Sequence, residues 1–197
     1  MVVTNIESIT KTKYRVYIDD EFAFVLYKGE LFKYQIHKDE EISEETIAGI
    51  KKEVLVKRAK LRAMHLLNAM PRTEQQLREK LAQNEYPEDV IEAAVSYVKS
   101  FGYINDEAYI RNFIISRKNS KSKREIVMLL GQKGLRGELV DNIVEEMYAE
   151  ESELSTIKEI MIKKRWNPSE MEEKEKQKML AYLMRKGFSY EEIRRAL

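Results

Sequence analysis

Residues 72–95 read RTEQQLREKLAQNEYPEDVIEAAV, residues 121–144 read KSKREIVMLLGQKGLRGELVDNIV, and residues 174–197 read KEKQKMLAYLMRKGFSYEEIRRAL. The three stretches align without a gap. Leu77 falls on Ile126 and Met179, Leu81 on Leu130 and Leu183, and Tyr86 on Leu135 and Phe188. Farther on, Ile91 falls on Val140 and Ile193, and Val95 on Val144 and Leu197. Apolar residues at these intervals mark amphipathic helices, and the spacing of 49 residues between the first two copies marks modular repeats. Repeats of this kind bury apolar faces against one another and present an extended surface, which favours binding over catalysis.

Working outward, Leu61 and Leu66 line up with Ile110 and Ile115, and then with Ile157 and Ile162. The third copy needs a few extra residues at 166–172. Each unit therefore reads as three helices joined by short turns. Thr73 with Gln76 forms a capping box before the second helix, and Pro87 sits at the start of the third, where a missing N–H costs least. Gly102 ends that helix, and Asn105 caps the next with Asp106 and Glu107 in its first turn. Lys133-Gly134-Leu135 and Lys186-Gly187-Phe188 mark the same turn in the later units. The first unit has Asn84-Glu85-Tyr86 there, so Asn84 or Glu85 must adopt a conformation that glycine takes more easily.

The first 42 residues differ in kind. Tyr14-Arg15-Val16-Tyr17-Ile18 and Phe22-Ala23-Phe24-Val25-Leu26-Tyr27 flank Asp19-Asp20-Glu21, which reads as a β-hairpin, with a third strand within residues 2–9. The acidic triplet also admits a metal-binding reading, but Asp is a usual turn residue and the turn is the stronger one. Ser43 followed by Thr46, with Glu44 and Glu45 between, starts a helix expected to run to about Asn68. The expected fold class is mainly α: three tandem three-helix repeats preceded by a small N-terminal β-hairpin domain. The expected boundaries are 1–42 for the β-rich domain, 43–56 for a connecting helix, and 57–104, 105–148 and 149–197 for the repeats.

Composition narrows the function classes. The 197 residues carry 35 Lys+Arg and 34 Asp+Glu, so the net charge of +1 does not announce a nucleic-acid binder. No cysteine occurs, which removes disulfide and thiol chemistry and fits a reducing compartment. The chain has no apolar run of about 18 residues, and its first ten lack the basic flank and apolar core of a secretory signal. The expectation is a cytoplasmic protein without membrane contact. Catalysis is hard to place, for no glycine-rich phosphate loop, nucleophile elbow or paired-histidine motif is present. His37 and His65 are far apart, and His65 aligns with Ile114 and Met161, which favours a satisfied, partly buried histidine over a ligand or base. No catalytic residue, metal ligand or cofactor is expected.

The basic residues carry more signal because they cluster. Residues 1–56 hold 8 Lys+Arg against 11 Asp+Glu, whereas residues 57–197 hold 27 against 23. Lys57, Arg58, Lys60 and Arg62 form one group without an intervening acid. Arg117, Lys118, Lys121, Lys123 and Arg124 form a second, and Lys163, Lys164 and Arg165 a third. Each group lies on or just after the first helix of its unit, and Arg62, Arg111 and Lys158 align across the units. Stacked repeats would present these cations as a strip suited to phosphates or to an acidic protein groove. An ordinary solvated face is the competing reading, and the residues alone leave the two level. Tyr109 and Phe113 precede the second group at helical spacing, where core packing outweighs a stacking role.

Gly102-Tyr103-Ile104-Asn105-Asp106-Glu107-Ala108-Tyr109 resembles the glycine–aromatic–Ile–acidic signature between the first two repeats of the RecX family of regulatory proteins. Arg72-Thr73-Glu74 with Leu77, Lys80 and Leu81 resembles that family's earlier Arg-Ser-Glu and Leu–Lys–Leu pattern, and residues 130–135 its later leucine, Lys-Gly-Ile element. Asn105 stands where Asp is usual, and Met70 where many members carry Arg. The resemblance implies a bacterial regulator that binds the RecA recombinase filament and suppresses its DNA-dependent ATP hydrolysis, strand exchange and co-protease activity; the expected state of the chain itself is a monomer. Some members also bind single- or double-stranded DNA directly. With the groups above, Arg72, Arg111 and Lys158 complete the candidate contacts. A direct DNA-binding regulator and a protein-interaction scaffold remain as alternative readings.

Overall fold

The computed structural model describes residues 1–148, 153–167 and 172–197. The start of the third repeat at 149 and most of its extra residues at 166–172 lie outside the described residues. The chain divides into two compact units, Met1–Ile104 and Asn105–Leu197.

In the first unit, β1 (Val3–Ser8), β2 (Lys13–Ile18) and β3 (Glu21–Tyr27) form an antiparallel sheet in that order. Ile6 pairs with Val16 and Val16 with Phe24, while Asp19 and Asp20 turn the hairpin at φ 50° and 67°. Both central residues have positive φ, which suits the right-handed strand twist, and Asp tolerates it better than most side chains. The outer edge of β1 is covered by the chain leaving α1 (Lys28–Lys33). Val3 N–H donates to the Glu40 carbonyl at 2.9 Å and Ile42 N–H to that of Met1 at 2.9 Å.

Ser43 caps α2 (Glu44–Ile50) by accepting the Thr46 N–H at 3.1 Å. The helix continues through one π-helical turn at Lys51–Leu55 into α3 (Val56–Ala69), then α4 (Glu74–Ala82) and α5 (Glu88–Ser100). The sheet and these helices share one core: Val16, Phe24 and Leu26 join Leu55, Leu77, Leu81, Ile91 and Val95. An isolated three-stranded sheet has little to bury its face against, and α3 supplies the missing layer.

Glu85 is the residue that takes the glycine-like conformation, at φ 61°, where Gly134 and Gly187 sit at 81° and 91°. Its carboxylate Oε1 accepts from Arg15 Nε of β2 at 2.6 Å, tying the turn to the sheet. Glu85→Gly and Glu85→Ala both lose that bond, so their difference isolates the backbone. The Gly variant should be more stable than the Ala variant by about 1 kcal/mol in urea unfolding. Equal stabilities would show that the left-handed turn carries no strain.

The second unit holds two further three-helix sets. The first is α6 (Asp106–Ile115), α7 (Lys123–Gly131) and α8 (Glu138–Tyr148) around Ile110, Ile114, Ile126, Leu130 and Val144. The second is α9 (Glu153–Lys163), α10 (Glu173–Arg185) and α11 (Tyr190–Ala196) around Ile157, Met161, Met179, Leu183 and Ile193. The two sets dock through a cap. Ser122, fully buried, accepts the Glu125 N–H at 3.1 Å and donates its hydroxyl to the Lys186 carbonyl at 2.6 Å. Gly187 lies against it, and a Cβ there would meet Ser122 Oγ at 2.6 Å.

The upstream alignment of the first helices needs correction. Ile110 and Ile157 are fully buried, but Leu61 is 64% exposed, and Ile115 and Ile162 are exposed too. In α3 the inward residues are Ala59, Ala63 and Leu66. A shift of two residues places Ala59 on Ile110 and Ile157, and Ala63 on Ile114 and Met161. Alanines let α3 lie close to α5, and a pattern weighted by large side chains overlooks them. His65, placed on Ile114 and Met161 by the gapless alignment, is exposed rather than partly buried.

Candidate functional site

The corrected register keeps one position basic in all three repeats, since Lys60 replaces Arg62 opposite Arg111 and Lys158. The surroundings of these cations differ. Lys60 Nζ lies 4.4 Å from the ring centre of Tyr97 on α5. Arg111 donates Nε to Glu107 at 3.1 Å and both terminal nitrogens to Glu146 at 2.7 Å. These carboxylates raise the guanidinium's pKa above its ordinary value, the Glu146 hydrogen bond most, while Arg111 holds Glu146 below the usual carboxylate range. Lys158 is exposed.

The remaining cations of the first unit are also unequal. Arg58 is drawn inward: its Nη2 bonds Glu30 at 2.5 Å, Nη1 bonds the Val25 carbonyl, and the group lies 4.5 Å from the Tyr27 ring centre. Arg62 donates Nε to Asn84 Oδ1 at 2.9 Å, and Arg72 to the Leu66 carbonyl at 3.4 Å. Arg58, Arg62, Tyr27, Tyr86 and the exposed Leu61 line a cleft of about 600 Å³. Burial pushes the Tyr86 hydroxyl above its ordinary value, opposed by the nearby Arg58. Lys57 stands exposed on α3.

In the second unit, the acid-free run of cations is relieved mainly by its near neighbours, while residues distant in sequence hold its backbone. Arg117 folds over the Phe113 ring at 4.0 Å and donates to Ser116 Oγ at 2.6 Å. Lys121 pairs with Glu125 at 2.6 Å, and Lys186 approaches the same oxygen at 3.7 Å. The Lys118 carbonyl accepts from Thr156 Oγ1 at 2.9 Å, and the Lys123 N–H donates to Glu153. Lys163 faces Glu159 at 3.6 Å, Lys164 lies 4.3 Å from the Tyr182 ring centre, and Arg165 turns out at φ 53°. Arg124 and Arg165 are exposed. Phe113 is buried and Tyr109 half-buried, both packed in the core of the first set.

Among the candidate cations two groups stand at opposite extremes, with those held by rings or neutral oxygens between them. Arg58, Arg111 and Lys121 are neutralised by carboxylates of their own unit, and such partners compete with any incoming phosphate. Lys57, Arg124, Lys158 and Arg165 are exposed, as electrostatic contact with a polyanion requires. Reading the sequence missed the rings that lie against four of the cations, Arg58, Lys60, Arg117 and Lys164. It also missed that Phe101 and Tyr103, either side of Gly102, are exposed. The only linear signal for that pair was an aromatic on each side of a helix-ending glycine.

Two of these regions match described domains. Residues 59–97 match the first three-helix domain of RecX, and residues 151–197 match its third. Among similar proteins, the regulatory protein RecX of Caldanaerobacter subterraneus subsp. tengcongensis is 34% identical across the whole chain and 98% of its own length. That of Clostridioides difficile is 29% identical across the whole chain and 94% of its own. A crystal structure of a regulatory protein RecX superposes with a TM-score of 0.64 at 25% identity, covering 99% of this chain and 98% of that one. The crystal structure of RecX from Lactobacillus salivarius gives 0.60 at 19% identity over 72% of this chain and 94% of its own, a likeness of fold.

Proposed function

Because the chain belongs to the RecX family of regulatory proteins, we propose that it binds the RecA–DNA filament and inhibits its ATPase, strand-exchange and co-protease activities. The observation that carries this reading is the full-length match to a regulatory protein of that family, over every helix set and the sheet. The mechanism is steric and electrostatic. Rigid three-helix modules span adjacent recombinase protomers and restrict the motions that hydrolysis and filament growth need. Lys57, Arg124, Lys158 and Arg165 contact DNA phosphates or acidic recombinase surface, while the internally paired Arg58, Arg111 and Lys121 keep the modules rigid.

The direct test is RecA ATP hydrolysis on single-stranded DNA, titrated with this protein. A steep fall well below one copy per recombinase indicates capping or disruption of filaments, and a fall near saturation indicates coating of the groove. No change, with filaments intact, removes the filament reading. The triple variant Lys57→Glu, Arg124→Glu, Lys158→Glu should raise the concentration needed for half inhibition by about tenfold and flatten its salt dependence, at unchanged melting temperature. Inhibition equal to wild type at several salt concentrations would remove these cations from the interface.

A further inference from the structure

The α5 C-terminus ends in a Schellman arrangement. Gly102 takes φ 71°, its N–H donates to the Lys99 carbonyl at 2.9 Å, and the Tyr103 N–H donates to that of Val98 at 3.0 Å. The residue after such a glycine commonly packs back onto the helix. Here Ile104 and Val98 are the buried residues closing the core, and Tyr103 is left 59% exposed. Its ring stacks on Phe101, itself 58% exposed, at 5.9 Å between centres and 19° between planes. Phe101 in turn lies 4.9 Å from Tyr97, whose face carries the Lys60 ammonium.

A surface ladder of rings ending in an ammonium group has two properties at once. Its faces accept any flat π-system without regard to sequence, and its ammonium group meets a polyanion alongside. The glycine cap fixes the backbone on either side of Gly102, and Phe101 and Tyr103 already lie nearly parallel, with 19° between their planes. We propose that Phe101 and Tyr103, with Tyr97 and its Lys60 ammonium next in line, form a stacking platform for the unpaired bases of single-stranded nucleic acid. The platform deepens the filament reading and rests on it for its setting, but it makes a claim about DNA alone.

The test uses the whole protein without recombinase, and measures fluorescence anisotropy of two labelled strands. One is a deoxythymidine oligonucleotide, and the other an abasic chain of the same length, carrying phosphates but no bases. Wild type should bind the thymidine strand more tightly. The double variant Phe101→Ala, Tyr103→Ala should lose about tenfold or more of that affinity and keep its affinity for the abasic chain. Phe101→Tyr and Tyr103→Phe should stay near wild type, while Phe101→Leu with Tyr103→Leu, which keeps apolar bulk, should fall with the alanine pair. Equal wild-type affinity for the two strands, or equal losses on both, overturns the platform. A double variant that keeps thymidine binding but no longer binds recombinase filaments also overturns it, and assigns the rings to a protein contact. A wild type that distinguishes the strands yet leaves recombinase hydrolysis untouched sinks the filament reading and leaves the platform standing.

Discussion

Gly187→Ala is expected to lower the melting temperature by roughly ten degrees or more, with an unfolding free energy about 3 kcal/mol below wild type. Three costs combine at this position. Alanine at φ 91° meets the left-handed penalty of about 1 kcal/mol. The new Cβ would lie 2.6 Å from Ser122 Oγ, so the serine must leave its rotamer. Ser122 then gives up both the cap on α7 and its bond to the Lys186 carbonyl, each worth about 1 kcal/mol in a buried setting. Ser122→Ala alone should cost less, since it removes the hydroxyl without moving the turn. Adding Gly187→Ala to Ser122→Gly should cost less than the sum of the two single changes, because the small residue makes room for the Cβ. Strict additivity, measured by thermal unfolding of all four proteins, would show that the glycine and the serine act independently.

Stability of the second unit should fall as pH rises from about 4.5 through about 7, and Glu153→Gln should flatten that fall. Burial pushes the Glu153 carboxyl up to about 7; the Lys123 N–H opposes the rise and the facing Glu192 adds to it. An acid whose pKa rises on folding holds its proton more tightly in the folded state. Its contribution is therefore full below the unfolded value of 4.5 and is lost as pH climbs through about 7. Glutamine keeps an oxygen for the Lys123 N–H and cannot ionise beside Glu192. With Glu153 only half buried, solvent screening discounts the effect, and the variant should gain about 1 kcal/mol at about pH 8 relative to its standing at about pH 5. Parallel pH profiles of melting temperature for variant and wild type would rule Glu153 out as the titrating group.

The two glycine-turn positions bear on how much of the protein can be read along the chain. The repeat was legible because Leu77, Leu81, Ile126, Leu130 and Leu183 are large apolar residues on helix faces, and all are fully buried. The caps at Ser43, Thr73 and Asn105 were legible because capping acts over three residues, so its signal stays local. The need for a left-handed residue at Asn84 or Glu85 followed from aligning that turn with two glycines. The first-helix register was not legible, because Ala59 and Ala63 owe their burial to the approach of α5 rather than to their own hydrophobicity.

The candidate site divides along the same line. That cations gather after each repeat's first helix is a property of the sequence, read by counting charges between acids. Which cations are spoken for depended on residues far away in the chain: Glu30 for Arg58, Glu146 for Arg111, Tyr97 for Lys60 and Tyr182 for Lys164. Charge and ring contacts act over a few ångströms in space, and spacing along the chain carries no record of that distance. The exposure of Phe101 and Tyr103 is of the same kind, for an aromatic beside a helix-ending glycine can turn inward or outward. By itself the sequence determined helix periodicity, caps, turns, the repeat and the family resemblance, because these rest on short-range rules. Only the tertiary structure decided which charges and rings remain available to a partner, because that depends on what each side chain meets after the chain has folded.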